Sequence, residues 1–174
     1  MTGDSDGYEN SSSRVLSNEE LIGRYGRPRG YRLVFSNGVF DLLHSGHVTS
    51  LEAARGCGDR LVVAVNSDQS TNRLKGPGRP VQTAEDRARI LAALRCVDAV
   101  TIFEDDTPAA LIERLLPDVL VKGADYRIEE IAGARAVLEA GGEVRLIDLE
   151  QGRSTSDLIG RVRGAALREP GTNE

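Results

Sequence analysis

The sequence predicts an α/β fold, a parallel sheet wrapped on both sides by helices, and three observations carry that expectation. Five short, β-branched runs have the continuous apolar character of strands buried on both faces. Helix-patterned segments separate successive runs. Strand, helix, strand repeated in this way calls for crossover connections, which lay helices on both faces of one sheet. The five runs are 32–36 (RLVFS), 61–66 (LVVAVN), 99–103 (AVTIF), 119–122 (VLVK) and 144–147 (VRLI). The expected architecture is a Rossmann-like, doubly wound parallel five-stranded sheet with helices on both faces.

In chain order, residues 1–16 come first, and through residue 13 they are rich in Ser, Asp, Gly and Asn. They bury too little to offset the entropy of ordering and read as a flexible N-terminal tail. Residues 17–25 (SNEELIGRY) read as a short helix, with Ser17 or Asn18 as N-cap and acids in the first turn. A helix over 47–55 follows the first strand. Beyond the second strand, the Gly/Pro-rich stretch 75–80 reads as a loop. A helix over 84–94 starts behind Thr83, with Asp86 at the capping-box position. The helix over 108–116 has Pro at its first turn, and the helix over 131–140 ends at Gly141-Gly142. Residues 156–167 form a closing helix, and 169–174 read as a frayed C-terminus. One domain over 17–168 is expected. In such sheets ligands sit at the carboxyl ends of the strands, where the strand order reverses.

Composition narrows the function. The net charge of −5 arises from 27 acidic and 22 basic residues scattered along the chain, which argues against a nucleic-acid face but leaves room for a local phosphate pocket. Cys57 and Cys96 form no C-x-x-C pair and read as small buried residues of a reducing compartment. No apolar run has membrane-spanning length, and the N-terminus lacks a signal pattern. A cytoplasmic protein with no membrane partner is expected.

The loop after the first strand reads Asn37-Gly38-Val39-Phe40-Asp41-Leu42-Leu43-His44-Ser45-Gly46-His47, and it holds both histidines of the chain. Their three-residue spacing at a helix start lets both rings face one cavity. Gly46 permits close backbone approach, and the helix N-terminus is a ready anion site. Imidazoles donate hydrogen bonds to phosphoryl oxygens as charge builds there. Metal binding lacks a third ligand, so no protein metal site is expected.

The N-G-V-F-D-x-x-H-x-G-H run resembles the signature of the cytidylyltransferase-like nucleotidyltransferases. The chain from 34 to 162 is similar, more narrowly, to the heptose-1-phosphate adenylyltransferases. The resemblance is carried by 58–68 (GDRLVVAVNSD), 73–76 (RLKG) with 79–81 (RPV), 103–108 (FEDDTP), 116–126 (LPDVLVKGADY), 129–133 (EEIAG) and 154–156 (STS). It implies transfer of AMP from ATP, with magnesium, to a heptose 1-phosphate. The products are ADP-heptose and pyrophosphate, for bacterial surface polysaccharide. That branch often forms the C-terminal half of a longer protein with a sugar kinase ahead of it; nothing of kinase length precedes the first strand here, so the stand-alone form is expected. Relatives of this fold commonly assemble, so a homo-oligomer, a dimer or larger, is expected as well.

The expected site follows residue by residue. His44 and His47 stabilise charge on the α-phosphate. Asn37, Gly38, Val39, Phe40 and Gly46 line the nucleotide beside them, and Asp41 orients the sugar phosphate or fixes the turn. Lys75, read as catalytic, and Arg79 are cations in a loop able to close over phosphates, unless they are simply solvated. Asn66 joins Asp41, Lys75 and Arg79 on the acceptor side. The resemblance places Arg87 facing the nucleotide, an exposed surface arginine being the plain alternative. It sets Lys122, Gly123, Asp125 and Tyr126 at the ribose or base, although Tyr126 also suits packing. Ser154, Thr155 and Ser156 sit at a helix start, as caps or as holders of the β- and γ-phosphates. Two rival readings stay open: a CTP-dependent enzyme acting on glycerol 3-phosphate or a similar small phosphate, and a non-catalytic nucleotide-binding module.

Overall fold

Short apolar strands dictate the architecture of the computed structural model, which describes residues 10–124, 126–147, 155 and 158–161. The strands are β1 (Val15–Leu16), β2 (Leu33–Gly38), β3 (Arg60–Asn66), β4 (Ala99–Phe103), β5 (Val119–Gly123) and β6 (Glu143–Ile147). All pair in parallel in the order β1-β4-β3-β2-β5-β6. Between them run the helices α1 (Asn18–Tyr25), α2 (Ser45–Arg55), α3 (Asp68–Lys75), α4 (Ala84–Ala92), α5 (Ala109–Leu115) and α6 (Ala134–Glu139).

The period of two in the strands sorts the core into two layers. Leu33 and Phe35 of β2, with Leu120 of β5, face α1, α5 and α6. Val34, Val63 and Val119 face α2 and α4 through Leu51, Ala54, Ala88 and Leu91. Phe35 is fully buried, and truncating such a side chain to Ala costs about 3–5 kcal/mol.

The sheet has six strands where the sequence predicted five. The added strand, Val15–Leu16, pairs with β4 at the sheet edge, preceded by a 3-10 turn over Ser11–Arg14. Arg14 anchors it by donating to the Val97 carbonyl at 2.9 Å. Residues 10–16 thus belong to the folded unit rather than to a tail, because Val15 and Leu16 find partners on a distant strand that local composition does not reveal. Helix α3 was also not anticipated; Ser67 caps it by accepting from the Ser70 N–H. Ser17 closes a full capping box with Glu20 at the start of α1, and Thr83 caps α4, both as the sequence indicates. Of the closing helix expected over 156–167, residues 158–161 are helical, as is Thr155 ahead of it; the remainder, like residues 1–9 and 169–174, lies outside the described residues.

From β2 the chain runs to β3 and β4 on one side, then crosses over to β5 and β6 on the other. The strand order therefore reverses between β2 and β5, and the crevice at their carboxyl ends is where ligands of such sheets bind.

Candidate active site

At that crevice β2 ends in Asn37-Gly38, and the chain turns through Val39, Phe40 and Asp41 into α2. A Cβ on Gly38 would stand 3.1 Å from Phe40 Cε2, so glycine lets the Phe40 ring fold back over the strand end. Phe40 adopts φ 50°, a left-handed conformation that bulky side chains rarely hold and that clusters at functional sites. Its ring meets His47 edge-on, with centroids 5.3 Å apart. His47 stacks on His44 at 3.8 Å with the planes 23° apart. His44 is the N-cap residue of α2, so both imidazoles stand at a helix N-terminus.

Burial, and second the neighbouring His44, lower the pKa of His47 from 6.5 to about 4. It is neutral at physiological pH, with one N–H to donate. His47 Nδ1 and Asn37 Oδ1 are buried with no hydrogen-bond partner among the described residues. Buried polar atoms are normally bonded, and two such atoms at one strand end mark a place that a ligand or water completes. From β5, Lys122 leans across the crevice. Its Nζ lies 3.5 Å from the Asn37 carbonyl and 5.2 Å from the centre of the Tyr126 ring. Gly123 ends β5. Thr155 Oγ1 donates to the Leu42 carbonyl at 3.4 Å, which brings Thr155 against the histidine loop. Ser154, Ser156 and Asp125 lie outside the described residues.

Two buried charges fix this loop. Asp41, 1% exposed, accepts from Arg79 Nε, from the Val81 N–H at 2.7 Å and from the Gln82 N–H at 3.1 Å. Burial would raise its pKa, but the Gln82 N–H, Arg79 and the Val81 N–H hold the carboxyl below its usual range. Arg87, also 1% exposed, donates to the Gln82 carbonyl at 3.0 Å, the Val39 carbonyl at 2.6 Å and Asp68 Oδ1 at 2.7 Å. It is thus not a surface arginine. Three of its donors are taken up inside the protein, where they join the histidine loop, the loop before α4 and the start of α3.

The remaining expected residues divide. Asn66 is buried at the end of β3 and donates to Ser70 Oγ at 2.9 Å, so it is engaged in holding α3. Lys75 is the last residue of α3 and exposed, with no hydrogen bond or ion pair among the described residues. Arg79 pairs with Asp41, a partnership between two residues 38 positions apart that the sequence did not reveal. Beside them a hollow of about 580 Å³ opens between α3 and the loop before α4, its wall including Asp68, Gln69, Asn72, Arg79 and Gln82. Sequence reasoning passed over Asp68, Gln69, Asn72 and Gln82. The available signal was the polar face of 68–72, which becomes visible only when α3 is read as a helix.

Rossmann-like α/β proteins whose switch point carries imidazoles at a helix N-terminus form a class suited to phosphorylated ligands, and this chain is one of them. More narrowly, the chain belongs to the cytidylyltransferase-like family, whose model matches residues 35–161. The bifunctional protein HldE of Gluconacetobacter diazotrophicus is 57% identical over 150 residues, covering 86% of this chain and 31% of that protein. Bifunctional protein HldE of Vibrio parahaemolyticus is 49% identical over 160 residues, covering 91% and 34%. The chain spans about a third of the length of these curated relatives. Among solved structures, the lipopolysaccharide core biosynthesis protein from Thermoplasma volcanium matches with a TM-score of 0.57 at 26% identity, over 71% of this chain and 100% of that one. Pantoate-beta-alanine ligase from Francisella tularensis, solved with β-γ ATP and β-alanine, matches at 0.55 over 92% and 81%. At 11% identity that likeness is one of fold alone.

Proposed function

We propose that this chain transfers AMP from ATP to a heptose 1-phosphate, giving ADP-heptose and pyrophosphate for bacterial surface polysaccharide. The observation that carries the reading is the stacked His44–His47 pair at the start of α2, beside Lys122 at the switch point. The heptose-branch stretches 116–126 and 129–133, and the likeness to HldE proteins, support the choice of substrate.

The chemistry is an in-line displacement. A phosphate oxygen of the sugar attacks the α-phosphorus of ATP, the bond from that phosphorus to the bridging oxygen breaks, and pyrophosphate leaves. The nucleophile is already ionised, so no general base is required. The protein holds the two phosphates in line and neutralises the charge that develops. His44 and His47 donate to the α-phosphate oxygens, and Lys122 adds a positive charge beside them. Ser154, Thr155 and Ser156 hold the β- and γ-phosphates, a role consistent with the Thr155 contact to the histidine loop. Lys75, exposed at the end of α3, closes on the phosphates. Among the described residues no group of three His, Cys, Asp or Glu side chains stands together to hold a metal. In this reading magnesium enters on the triphosphate as part of the substrate.

The test is pyrophosphate release for ATP and CTP, each against heptose 1-phosphate and glycerol 3-phosphate, with magnesium present. ATP with the heptose phosphate should lead in kcat/KM by about 100-fold or more. A lead for CTP with glycerol 3-phosphate would reject the heptose assignment. Absence of turnover with every pair would restore the binding-module reading.

A further inference from the structure

A histidine that does chemistry with one ring nitrogen is ordinarily oriented through the other, which bonds a carboxylate or a carbonyl. His47 lacks that arrangement, for its Nδ1 is buried with no hydrogen-bond partner among the described residues. Packing has to orient the ring instead. His44 covers one face, with centroids 3.8 Å apart and the planes 23° apart. A face contact fixes the plane of a ring but leaves it free to turn and slide within that plane. Phe40 removes that freedom. It meets His47 at 5.3 Å with the planes 64° apart, the edge-to-face geometry that aromatic pairs prefer.

The backbone is arranged to put the Phe40 ring there. Phe40 holds φ 50°, a conformation that bulky residues keep only where the surroundings over-determine it. On one side, the Val39 carbonyl is held by Arg87 at 2.6 Å. On the other, the Asp41 carboxylate is held by Arg79 and by the Val81 and Gln82 N–H groups. A residue between two such anchors has little room to relax. Gly38 clears the space for the ring, since a Cβ there would stand 3.1 Å from Phe40 Cε2 and 3.3 Å from Cζ. Phe40 also packs against the core layer that includes Val65 and Val121. The ring is thus seated on the sheet as well as against the imidazole.

We propose that Phe40 is the positioning residue of His47: its ring, rather than a hydrogen bond, sets the direction in which the imidazole presents its N–H and keeps water from its edge. The kinetic consequence rests on the nucleotidyl-transfer reading; the placement of the ring does not. Without Phe40, His47 keeps its stacking partner but gains water and alternative orientations. It then spends less time in the one that meets the α-phosphate, and such misplacement costs rate more than affinity.

The test compares wild type with Phe40→Leu and Phe40→Met, which remove the ring but keep an apolar side chain, and with Phe40→Tyr, which keeps the ring. Phe40 is half-buried, so the variants retain the fold. The His47 titration is followed by NMR; the chain has two histidines, and His44→Gln assigns their signals. Around the loop, Asp41 and Arg79 pair with each other, Arg87 pairs with Asp68, and Lys122 lies against the Asn37 carbonyl. Burial, and second His44, act on His47 itself. Admitting water in the two ring-less variants should raise its pKa from about 4 towards 6.5, by about one unit or more, and Phe40→Tyr should show much less of that rise. With ATP and heptose 1-phosphate, kcat should fall about 10-fold in the ring-less variants, with the KM for ATP within about two-fold of wild type. Phe40→Tyr should recover most of that loss. A His47 pKa that stays near 4 in both ring-less variants overturns the proposal, as does a kcat that stays at the wild-type level. A raised KM for ATP with kcat preserved would make Phe40 a nucleotide contact and overturn it equally. If the wild type shows no turnover, while the ring-less variants shift the titration and Phe40→Tyr restores it, Phe40 positions His47 and the transferase reading falls.

Discussion

His47 shows how a single residue is prepared for phosphate chemistry. Burial and its stacked neighbour keep the ring neutral down to a pH of about 4, so in the proposed reaction it would meet the nucleotide as a directed N–H donor. A triphosphate beside it favours the charged imidazolium, the opposite of what burial does. Binding ATP should therefore take up protons between pH about 4 and 6.5 beyond those of the nucleotide itself. Calorimetry in buffers of different ionisation enthalpy should detect that uptake in the wild type and not in His47→Gln. If the ring stabilises the transition state, His47→Ala should lower kcat by about 10²–10³ with far less effect on ATP affinity. Steady-state kinetics that retain most of the turnover would remove His47 from the mechanism. Lys75 makes a separate test. Lys75→Ala should reduce kcat more than it raises KM if the lysine reaches the phosphates on closure, and unaltered kinetics would return it to the solvated surface. Lys75→Arg should rescue incompletely, because a planar fork places charge differently.

Elements matter here through the joints between them. The histidine loop, α3 and the loop before α4 are joined by two buried charges. Arg87 contributes three hydrogen bonds to three segments, and Asp41 accepts three from one. Arg87→Leu would leave the Val39 and Gln82 carbonyls without their donor, at about 1–3 kcal/mol each, while Asp68, half exposed, turns to water. Urea unfolding should report a loss of that size. Ser17→Ala, which removes the capping box of α1, should cost only about 1 kcal/mol. Similar losses from the two changes would mean that Arg87 is not the joint the geometry describes.

For the molecule as a whole, the sheet order places the site and sets what lies far from it. β1 pairs with β4, separated from β2 by β3, so the edge and the crevice should respond independently. Deleting residues 1–16 removes the β1 pairing and the Arg14 anchor. The melting temperature should fall while kcat remains near wild type, and a parallel loss of kcat would show that the edge reaches the site. Acid should weaken the fold in two stages. His47 is held neutral in the folded state but takes a proton when unfolded, so its contribution is intact above pH about 6.5 and is lost as pH falls towards 4. Asp41, and Asp118 bonded by the Leu33 N–H and by Arg29 against the cost of burial, have folded pKa values held below 3.8. Their contribution is present above that value and disappears at still lower pH. Denaturation curves between pH 3 and 8 should show stability declining first below about 6.5; stability rising on acidification would contradict the buried neutral state of His47.

The sequence by itself determined the layered α/β architecture, because strands buried on both faces announce themselves as β-branched runs. It also determined the caps of α1 and α4, whose hydrogen bonds join residues three positions apart, and the histidine pair, whose spacing is local. What only the tertiary structure decided involves partners distant along the chain. Val15 and Leu16 become a strand because β4 is there to receive them. Arg87 turns inward because Val39, Gln82 and Asp68 converge on it. Asp41 and Arg79 take each other, and α3 with the loop before α4 borders an open hollow lined by Asp68, Gln69, Asn72 and Gln82 together with Pro80 and Val81. Local patterns report the free energy of neighbours along the chain. The site's joints and its hollow depend on contacts between segments that only the folded sheet brings together.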